Sequence, residues 1–386
     1  MRIIYVTHTR FPTEKAHGFQ VASVCNALAK LGNDVTLAAP TVWNSITRDA
    51  FSYYRIPETF ALHTLAHFDA LRSPLVPGFA GFALSMFFYR RALARFLAVT
   101  KADLLYTRSP LVLPALLATG IPVVLELHTL PSHFAARFVK QCNRCARVVC
   151  LTTPMRDALL AMGAEERRVI VEGDAVDTAR FAHLPSPARS KVRWDLDDDL
   201  ADIGYIGSLV TFNTLRKGVD DLIDAIRDLD REKKKVFGWV VGGPPAWREK
   251  YRKLASCKGL TVENIVFQDP IMPNLVADAM NACDVLVYTA PQSDHPYFQR
   301  DTSPLKLYEY LASGRPVVCA DIPPVRDIAD PTVVRFYQPG SGRSLAGAIM
   351  DVLEHPVQAR ERAKRAHALM EEHTWEKRMG RILGSL

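Results

Sequence analysis

The chain has 386 residues, of which 48% are hydrophobic and 23% are charged. This is the composition of an ordinary globular protein, with enough apolar residues for two cores and a length that suits two or three domains. No uninterrupted apolar run reaches the ~18 residues typical of a membrane-spanning helix, so the sequence excludes that class. A net charge of +7 fits nucleic acid, an anionic membrane surface or phosphorylated ligands equally well.

The cysteine count and the start of the chain indicate a compartment. Seven cysteines is an odd number, which favours free thiols in a reducing environment. The sequence begins Met-Arg-Ile-Ile-Tyr-Val, directly on an apolar strand pattern and without the features of a signal peptide. We therefore expect a cytoplasmic protein that could touch a membrane without crossing it.

The first half alternates short apolar runs with amphipathic helical patterns. The predicted strands cover residues 3–6, 35–39, 104–106, 123–127, 148–151 and 169–171. The predicted helices between them cover residues 18–30, 80–97, 111–118 and 155–162. Alternation of this kind predicts a parallel sheet with helices on both faces.

Residues 177–199 are rich in Pro, Arg, Ser and Asp and have no apolar period. Because Pro185 and Pro187 interrupt the segment, no helix is predicted there, and we interpret it as an interdomain linker. The acidic run from Asp195 to Asp199 could suggest a metal site, but a solvated loop is the favoured interpretation.

The alternation restarts after this segment. Strands are predicted at 203–206, 236–241, 265–267, 285–288 and 317–320, and helices at 218–229, 246–255, 275–282, 304–312 and 344–353. The expected fold is α/β, with two Rossmann-like domains facing a cleft at residues 1–180 and 201–372, joined by a linker at 181–200. A C-terminal helix at 373–386 could pack back on the first domain.

The most informative segment is Asp301 to Val318. Ser303 is a good N-cap, Pro304 suits the first helical position, and Gly314 is a good C-terminal stop, so a short helix is predicted between two strands. The N-terminus of such a helix offers free backbone N–H groups and the positive end of the helix dipole, which suit a diphosphate. Lys306 in the first turn would add a full positive charge.

Two carboxylates extend this pattern. Glu309 lies three residues after Lys306 and shares its face, so it could accept hydrogen bonds from ribose hydroxyls. Asp301, just before the helix, could reach the hydroxyls of a sugar. Taken alone, Lys306 and Glu309 would more often be a surface ion pair; the cap and the upstream acid favour a ligand.

Asp301 and Glu309 resemble the E-x7-E signature of the family-4 retaining glycosyltransferases of the GT-B fold, with Asp in place of the first Glu. The resemblance covers nearly the whole chain. It extends to residues 15–20, 148–152, 173–177, 204–208 and 217–219.

The resemblance implies a role for each matching position in the second half. Glu309 would bind the donor ribose, and Asp301 would contact the donor sugar. The backbone of Ser303, Pro304, Leu305 and Lys306 would hold the distal phosphate. The family's Arg–Lys pair, which neutralises the leaving diphosphate, is matched by Lys217, whereas the Arg position falls on Ser208. The neighbouring Arg216 is a possible substitute for that arginine.

Further positions carry over with open alternatives. His128 ends a buried strand pattern and matches a histidine that contacts the donor sugar, although a lone histidine is more often structural. Gly18 would let the first loop approach the phosphates, and Gly243 would give the donor backbone room, but each could be a plain turn glycine. The stretch from Phe267 to Ile271 matches the nucleobase contact, with Asp269 in place of a common glycine.

Other motifs are absent or weak. The sequence has neither a P-loop nor a dinucleotide-binding fingerprint. Cys142 and Cys145 form a single CxxC without a second pair, which favours free thiols over a metal site. No Asp-x-Asp follows a predicted strand, so we expect no metal and no cofactor, with cationic side chains and the helix dipole stabilising the leaving group.

The segment from Ser85 to Leu97 is basic and apolar together. It could bind an anionic membrane surface, but the favoured interpretation is a core-facing helix with an exposed basic face.

The sequence thus predicts retaining transfer of a sugar from a UDP- or GDP-linked donor to a glycan or lipid-linked acceptor, in cell-surface polysaccharide or glycolipid synthesis. No nucleic acid partner is expected, and a peripheral membrane contact is possible. Two alternatives stay open: a nucleotide-sugar epimerase on the same scaffold, and a non-catalytic nucleotide-sugar-binding subunit.

Overall fold

A computed structural model describes residues 1–72, 76, 78–131, 133 and 135–386. The chain forms two compact units. The first contains Met1–Gly173 together with Trp375–Leu386, and the second contains Asp174–Thr374. The predicted end of the first domain, residue 180, lies seven residues after Gly173. The predicted start of the C-terminal helix, residue 373, lies two residues before Trp375.

The first unit is built on a seven-stranded parallel sheet in the order β3-β2-β1-β4-β5-β6-β7. Its strands are β1 Arg2–Val6, β2 Asp34–Pro40, β3 Ala61–Leu65, β4 Leu104–Thr107, β5 Val123–Leu127, β6 Arg147–Cys150 and β7 Val169–Val171. All six predicted strands are present. The additional strand, β3, lies at the sheet edge and is mostly exposed, so it lacks the apolar run that reveals the others.

Helices cover this sheet at α1 Ala16–Lys30, α2 Ala50–Tyr54, α3 Gly78–Val99, α4 Leu113–Leu117, α5 Ala135–Cys142 and α6 Thr153–Ala161. The sequence predicts α1, α3, α4 and α6 but neither α2 nor α5. Helix α3 buries one face, which contains Met86, Tyr89, Leu93 and Leu97, as the core-facing interpretation requires. Within the described residues, no helix is both long and apolar enough to cross a membrane.

The second unit contains a six-stranded parallel sheet in the order β12-β11-β8-β13-β14-β15. Its strands are β8 Ala201–Ile206, β11 Val236–Val241, β12 Ile265–Gln268, β13 Val285–Tyr288, β14 Val317–Ala320 and β15 Arg335–Tyr337, and a small hairpin joins β9 Val210–Thr211 to β10 Leu215–Arg216. Strand β15 and the hairpin are not predicted, because each of these strands of two or three residues includes a polar residue and forms no apolar run.

Seven helices described in this unit are α7 Pro187–Arg193, α8 Val219–Arg231, α9 Pro245–Cys257, α10 Val276–Ala282, α11 Leu305–Ala312, α12 Gly342–Glu354 and α13 Pro356–Met370. Five match the predicted helices. Helix α13 was missed because its buried face is largely alanine, at Ala359, Ala363 and Ala366, which gives a weak apolar period.

Helix α7 corrects the expectation that residues 177–199 contain no helix. Pro187 stands at the first helical position, where the missing N–H has no intrahelical partner and therefore costs nothing. The ammonium of Lys191 lies 2.7 Å from carboxylate oxygens of Asp202 and of Asp284. The segment is therefore fixed to the second unit. Asp197 and its acidic neighbours form exposed turns, as predicted.

The final helix, α14 Trp375–Gly384, belongs to the first unit and packs on α1. Trp375, Met379 and Ile382 form its buried face. Lys30 and Glu376 are joined at 2.8 Å. The predicted return of the C-terminal helix to the first domain is confirmed.

Both sheets have the strand order of a doubly wound Rossmann-like domain. In each, the chain reverses direction across the sheet at one point, between β1 and β4 in the first unit and between β8 and β13 in the second. Ligands of open parallel sheets bind beyond the carboxyl ends of the strands at such switch points.

Candidate active site

Helix α11 begins one residue later than predicted. Pro304 is its N-cap, and no side chain caps it. The hydroxyl of Ser303 instead accepts a hydrogen bond from the backbone N–H of Asp174 at 2.9 Å. The helix ends as expected, with Gly314 in the left-handed conformation at φ +69°. The prediction that Ser303 caps the helix is therefore wrong, because this hydroxyl binds the segment that follows β7.

Tyr310 fixes α11 to the carboxyl end of β8. Its hydroxyl accepts a hydrogen bond from the N–H of Ile206 at 2.7 Å and lies 3.1 Å from the carbonyl of the same residue, to which it donates. Because Tyr310 is fully buried, these bonds are shielded from water. The first turn of α11 is consequently held close to the switch point of the second sheet.

Lys306 lies at that switch point. Its ammonium nitrogen is 3.6 Å from the ring centroid of Tyr205 on β8 and 5.4 Å from that of Tyr288 on β13. Both tyrosines are buried. Burial and the nearby charge of Lys217 lower the pKa of Lys306 well below its usual range.

Lys217 precedes α8 and contacts a third tyrosine, Tyr297. Its ammonium donates a hydrogen bond to the hydroxyl of Tyr297 and lies 4.3 Å from the centroid of the same ring. Burial raises the pKa of Tyr297, but the Lys217 charge and several hydrogen bonds outweigh burial and lower that pKa.

Neither Lys217 nor Lys306 lies within 4.0 Å of a carboxylate oxygen anywhere in the parts of the chain that the structure describes. Two ammonium groups therefore stand near one another, on aromatic faces, without an acidic partner. Attraction to a ring face compensates only part of the cost of removing an ammonium from water. The arrangement is suited to an anionic ligand that supplies the missing negative charge.

Glu309 has a partner that the sequence did not reveal. Its carboxylate accepts a hydrogen bond from Arg180 at 2.7 Å, and Arg180 also donates to the carbonyl of Pro273 at 2.8 Å. The expected alternative, an ion pair with Lys306, is not formed. Arg180 lies three residues after Asp177, the last residue of the segment that resembles the family motif, and this proximity was the only signal in the sequence.

Asp301 is buried in a π-helical turn, Tyr297–Asp301, immediately before α11. Its oxygens lie 2.6 and 3.2 Å from donor nitrogens of Arg300. Asp301 is thus near the helix N-terminus, as predicted, but its carboxylate is paired with its own neighbour.

The candidate basic pair does not converge. The hydroxyl of Ser208 donates to the carbonyl of Val210 at 2.6 Å, within its own loop. Arg216 is exposed and lies 3.2 Å from Asp220. Because Arg216 and Lys217 contact different groups, the structure does not bring Arg216 to the lysines.

The loops after β8 and β11 approach each other closely at glycine. A Cβ on Gly242 would lie 1.9 Å from the carbonyl oxygen of Gly207, so only glycine is tolerated. Gly243 is joined to Pro244 by a cis peptide bond, and a Cβ there would lie 3.0 Å from Pro270. Packing between the two loops therefore explains Gly242 and leaves little room for a side chain at Gly243.

The expected nucleobase contact begins at Phe267, which is buried in the core. Ile271 is partly buried against the same core. Asp269, between them, is exposed and pairs with Arg248. Of this stretch, Asp269 and Pro270 are exposed and Ile271 is partly exposed.

In the first unit, His128 follows β5 and bonds to a buried carboxylate. Its Nε2 lies 2.8 Å from Oε1 of Glu126, whose side chain is completely buried. Burial and the charge of Arg108 lower the pKa of His128 to about 4, although Glu126 acts in the opposite direction. The ring is therefore neutral at physiological pH.

Gly18 is explained by packing. A Cβ there would lie 2.1 Å from the hydroxyl of Tyr54 and 2.5 Å from the side chain of Thr13. The same hydroxyl binds the backbone of Thr13, accepting from its N–H at 2.7 Å and donating to its carbonyl at 2.8 Å. The glycine therefore admits a tyrosine that fixes the loop between β1 and α1.

Three residues at the β1–β4 switch point were missed. His8 follows β1, Arg108 follows β4, and His17 lies in the first turn of α1. Nδ1 of His8 and Nε2 of His17 are buried without a hydrogen-bond partner in the described structure. Burial and the charge of Arg108 lower the pKa of each histidine to about 4. The positions of His8 and Arg108 shortly after predicted strands were the available signal, and His17 lies within the segment 15–20 that resembles the family's first loop.

Family models match both halves of the chain. The model described as Glycosyltransferase Family 4 matches residues 18–180, and the model described as Glycosyl transferases group 1 matches residues 201–355. Together the two matches cover more than half of the chain. The chain belongs to the family-4 glycosyltransferases of the GT-B fold. No curated protein matches this glycosyltransferase significantly in sequence.

Solved structures share its fold at low sequence identity. A glycosyltransferase from Rickettsia africae is 15% identical, with a TM-score of 0.77 and coverage of 99% of this chain and 97% of that one. HepE from Anabaena, in complex with UDP-glucose, is 18% identical, with a TM-score of 0.72 and full coverage of both chains. WaaG, a glycosyltransferase involved in lipopolysaccharide biosynthesis, is 16% identical, with a TM-score of 0.68 and 98% coverage of each chain.

The depressed pKa of His8 predicts a pH dependence of stability. Unfolding restores the usual imidazole pKa, so the unfolded glycosyltransferase binds a proton that the folded one does not bind between about pH 6.5 and 4. The stabilisation from this residue is present above that window and is lost as the pH falls through it.

We expect urea unfolding of wild type to lose about 1–2 kcal/mol more than His8→Asn between pH 7 and 5. Replacing the exposed His355 with Asn is the control. Equal pH dependence in wild type and His8→Asn would contradict the assignment. Comparing variants removes the contributions of Asp202 and Asp221, whose pKa values burial raises to about 6.

The depressed pKa of Lys306 predicts proton uptake on ligand binding. A bound diphosphate favours the charged ammonium and raises the pKa of Lys306, so binding of UDP or GDP should take up a proton at pH values between the pKa of Lys306 in the free protein and its pKa in the complex. Calorimetry in buffers of different ionisation enthalpy measures this uptake. Lys306→Met should remove it, whereas Lys250→Met, which replaces a lysine over the ring of Trp247, should retain it. Unchanged uptake in Lys306→Met would refute the prediction.

Proposed function

We propose that this glycosyltransferase transfers a sugar from a UDP- or GDP-linked donor to a glycan or lipid-linked acceptor with retention of the anomeric configuration. The observation that carries the donor assignment is the pair Lys217 and Lys306, which lie at the β8–β13 switch point without an acidic partner in the described structure. The complex of Anabaena HepE with UDP-glucose supports it, since that relative has the same fold.

The proposed reaction breaks the bond between the sugar C1 and the diphosphate oxygen and forms a bond from C1 to an acceptor hydroxyl oxygen. The hydroxyl proton is released, and the nucleoside diphosphate leaves with the electron pair. Negative charge grows on the diphosphate in the transition state, where Lys217, Lys306 and the first N–H groups of α11 stabilise it more than in the ground state. We propose that these groups serve in place of a metal ion.

The remaining donor contacts follow from the family resemblance. Glu309 would bind the ribose, exchanging part of its contact with Arg180 for two hydroxyls. Asp301 and His128 would contact the donor sugar, and Gly18, Ser208 and Gly243 would lie beside its backbone. Phe267 to Ile271 would flank the nucleobase. Arg216 would contact the diphosphate only if its ion pair with Asp220 breaks.

The acceptor side includes a candidate membrane surface on α3. The helix exposes Phe79 near its N-terminal end, at 88% accessible, and Phe87 on the same face as Arg91, at 52% accessible. Arg91 lies 5.7 Å from the ring of Phe87, and Arg95 is also exposed. Exposed aromatic rings beside arginines suit an anionic lipid surface, so we propose a peripheral membrane contact that presents a lipid-linked acceptor. A role in cell-surface polysaccharide or glycolipid synthesis and a cytoplasmic location would follow.

If Glu309 binds the ribose, replacing it should reduce the preference of the protein for nucleotides that carry ribose hydroxyls. Wild type should bind the preferred nucleoside diphosphate at least about tenfold more tightly than its 2′,3′-dideoxy analogue, because hydrogen bonds to a carboxylate contribute about 1.5–3 kcal/mol. Glu309→Gln should reduce this ratio toward one, as measured by calorimetry. Glu361→Gln, an exposed change on α13, is the control. A ratio that survives in Glu309→Gln would reject the assignment.

The membrane proposal predicts sedimentation with anionic vesicles. Wild type should sediment with vesicles of phosphatidylcholine and phosphatidylglycerol, and less with phosphatidylcholine alone or at high salt. The double change Phe79→Ser with Phe87→Ser should abolish sedimentation. Trp43→Ser, which replaces another exposed aromatic residue, should not. Equal sedimentation of the double variant would exclude this surface.

A further inference from the structure

The C-terminal helix carries a buried ion pair into the first unit. Arg378 on α14 lies 3.0 Å from Oε2 of Glu126 on β5, and both side chains are completely buried. The hydroxyl of Tyr106 donates to the same oxygen. The other oxygen, Oε1, contacts His128 at 2.8 Å and accepts from the amide of Gln20. One carboxylate thus joins the last helix of the chain to the candidate sugar-contacting histidine.

Contacts other than the ion pair also hold α14 in place. The helix already buries Trp375, Met379 and Ile382. Arg381 adds an exposed pair with Glu172 at 2.7 Å. A buried ion pair is expensive to desolvate and is often no more stable than well-packed apolar residues of similar volume. The charge of Arg378 is therefore better explained by its effect on the groups around it than by its contribution to stability.

That consequence is the ionisation of Glu126. Burial raises the pKa of an isolated carboxyl, but the charge of Arg378 and the hydrogen bonds from His128 and Tyr106 together hold the pKa of Glu126 well below its usual range. An ionised carboxylate can only accept hydrogen bonds. It therefore selects the His128 tautomer that carries its proton on Nε2, and it leaves Nδ1 as an acceptor.

The guanidinium is itself held in place. Its Nε donates to the carbonyl of Gly173, and one terminal nitrogen lies 3.3 Å from the carbonyl of Glu172. Because the planar group is fixed on two sides, Glu126 meets it in one orientation. The chain from α14 to His128 therefore consists of two hydrogen-bonded steps with no freely rotating member.

We propose that Arg378 is a positioning residue for sugar transfer: the C-terminal helix supplies a guanidinium that keeps Glu126 ionised and thereby holds His128 in one tautomer, with Nδ1 available to a hydroxyl of the donor sugar. This inference rests on the proposed contact between His128 and the donor. It assigns Arg378 no contact with substrate, and it gives the C-terminal helix a part in the chemistry of the first unit.

The test uses the full-length protein with histidine labelled by nitrogen-15. Ring-nitrogen shifts report the tautomer of His128 directly, without catalysis. Wild type should show the Nε2–H form, and Arg378→Gln should show a mixture of tautomers and a turnover rate lowered by roughly 10- to 100-fold. The affinity for the nucleoside diphosphate should change by less than about twofold, because Lys217, Lys306 and Glu309 are in the other unit. Arg378→Lys should restore much of both properties.

Arg381→Gln is the matched control, since it removes an arginine of the same helix whose ion pair with the side chain of Glu172 includes neither Glu126 nor His128. It should retain the wild-type tautomer and turnover. A wild-type tautomer and turnover in Arg378→Gln would overturn the proposal, and so would equal losses in Arg381→Gln.

Arg378→Gln could unfold the protein, because it leaves Glu126 without its buried counter-charge. A second variant therefore keeps the proposal testable. The double change Glu126→Gln with Arg378→Met removes both charges and should fold. It should lose the fixed tautomer and the same share of turnover; wild-type values for both would refute the inference. His128→Ala tests the proposed contact between His128 and the donor separately from the effect of Arg378 on His128. Full turnover in His128→Ala would rule out the donor contact. A change of tautomer in Arg378→Gln would still show that Arg378 controls the tautomer of His128.

Discussion

The structure of the second unit is organised around a lysine that has no acidic partner in the described chain. Lys306 is placed at the β8–β13 switch point because Tyr310 ties α11 to the backbone of β8. Its ammonium lies over the faces of Tyr205 and Tyr288, and Lys217 adds a second positive charge nearby. Such a site is incomplete without an anion, and the nucleotide-sugar diphosphate that we propose would complete it.

The first unit shows the opposite electrostatic situation. There the central charged group is Glu126, which is fully buried and fully supplied with donors from Gln20, Tyr106, His128 and Arg378. A satisfied network of this kind is rigid, whereas an unsatisfied pair of cations awaits a ligand. The two units therefore contribute differently to the proposed reaction: one holds a neutral histidine in a set orientation, and the other provides charge for a leaving group.

The sequence predicted the two sheets well because their strands are buried on both faces and read as continuous apolar runs. It failed where that signal weakens. Strand β3 is an exposed edge, α13 buries alanines, and α7 begins with a proline that looks like a helix breaker. The local sequence of such elements predicts their secondary structure poorly, because contacts with residues distant in sequence determine it.

The candidate site was predictable only in part, for a similar reason. Lys306 and Glu309 were found because their spacing within one short helix is local, and Lys217 was found from the family resemblance. The partners that give them their chemistry are remote in sequence: Arg180 is 129 residues from Glu309, and Arg378 is 252 residues from Glu126. The sequence alone offered no means of pairing residues so far apart.

The most direct test of the central claim compares a nucleoside diphosphate with its nucleoside. Calorimetry would measure the affinity of UDP and uridine, or of GDP and guanosine, for wild type, Lys217→Met with Lys306→Met, and Lys250→Met. If the two lysines bind the diphosphate, wild type and Lys250→Met will bind the diphosphate much more tightly than the nucleoside, and the double variant will bind both alike. An undiminished preference for the diphosphate in the double variant would contradict the account.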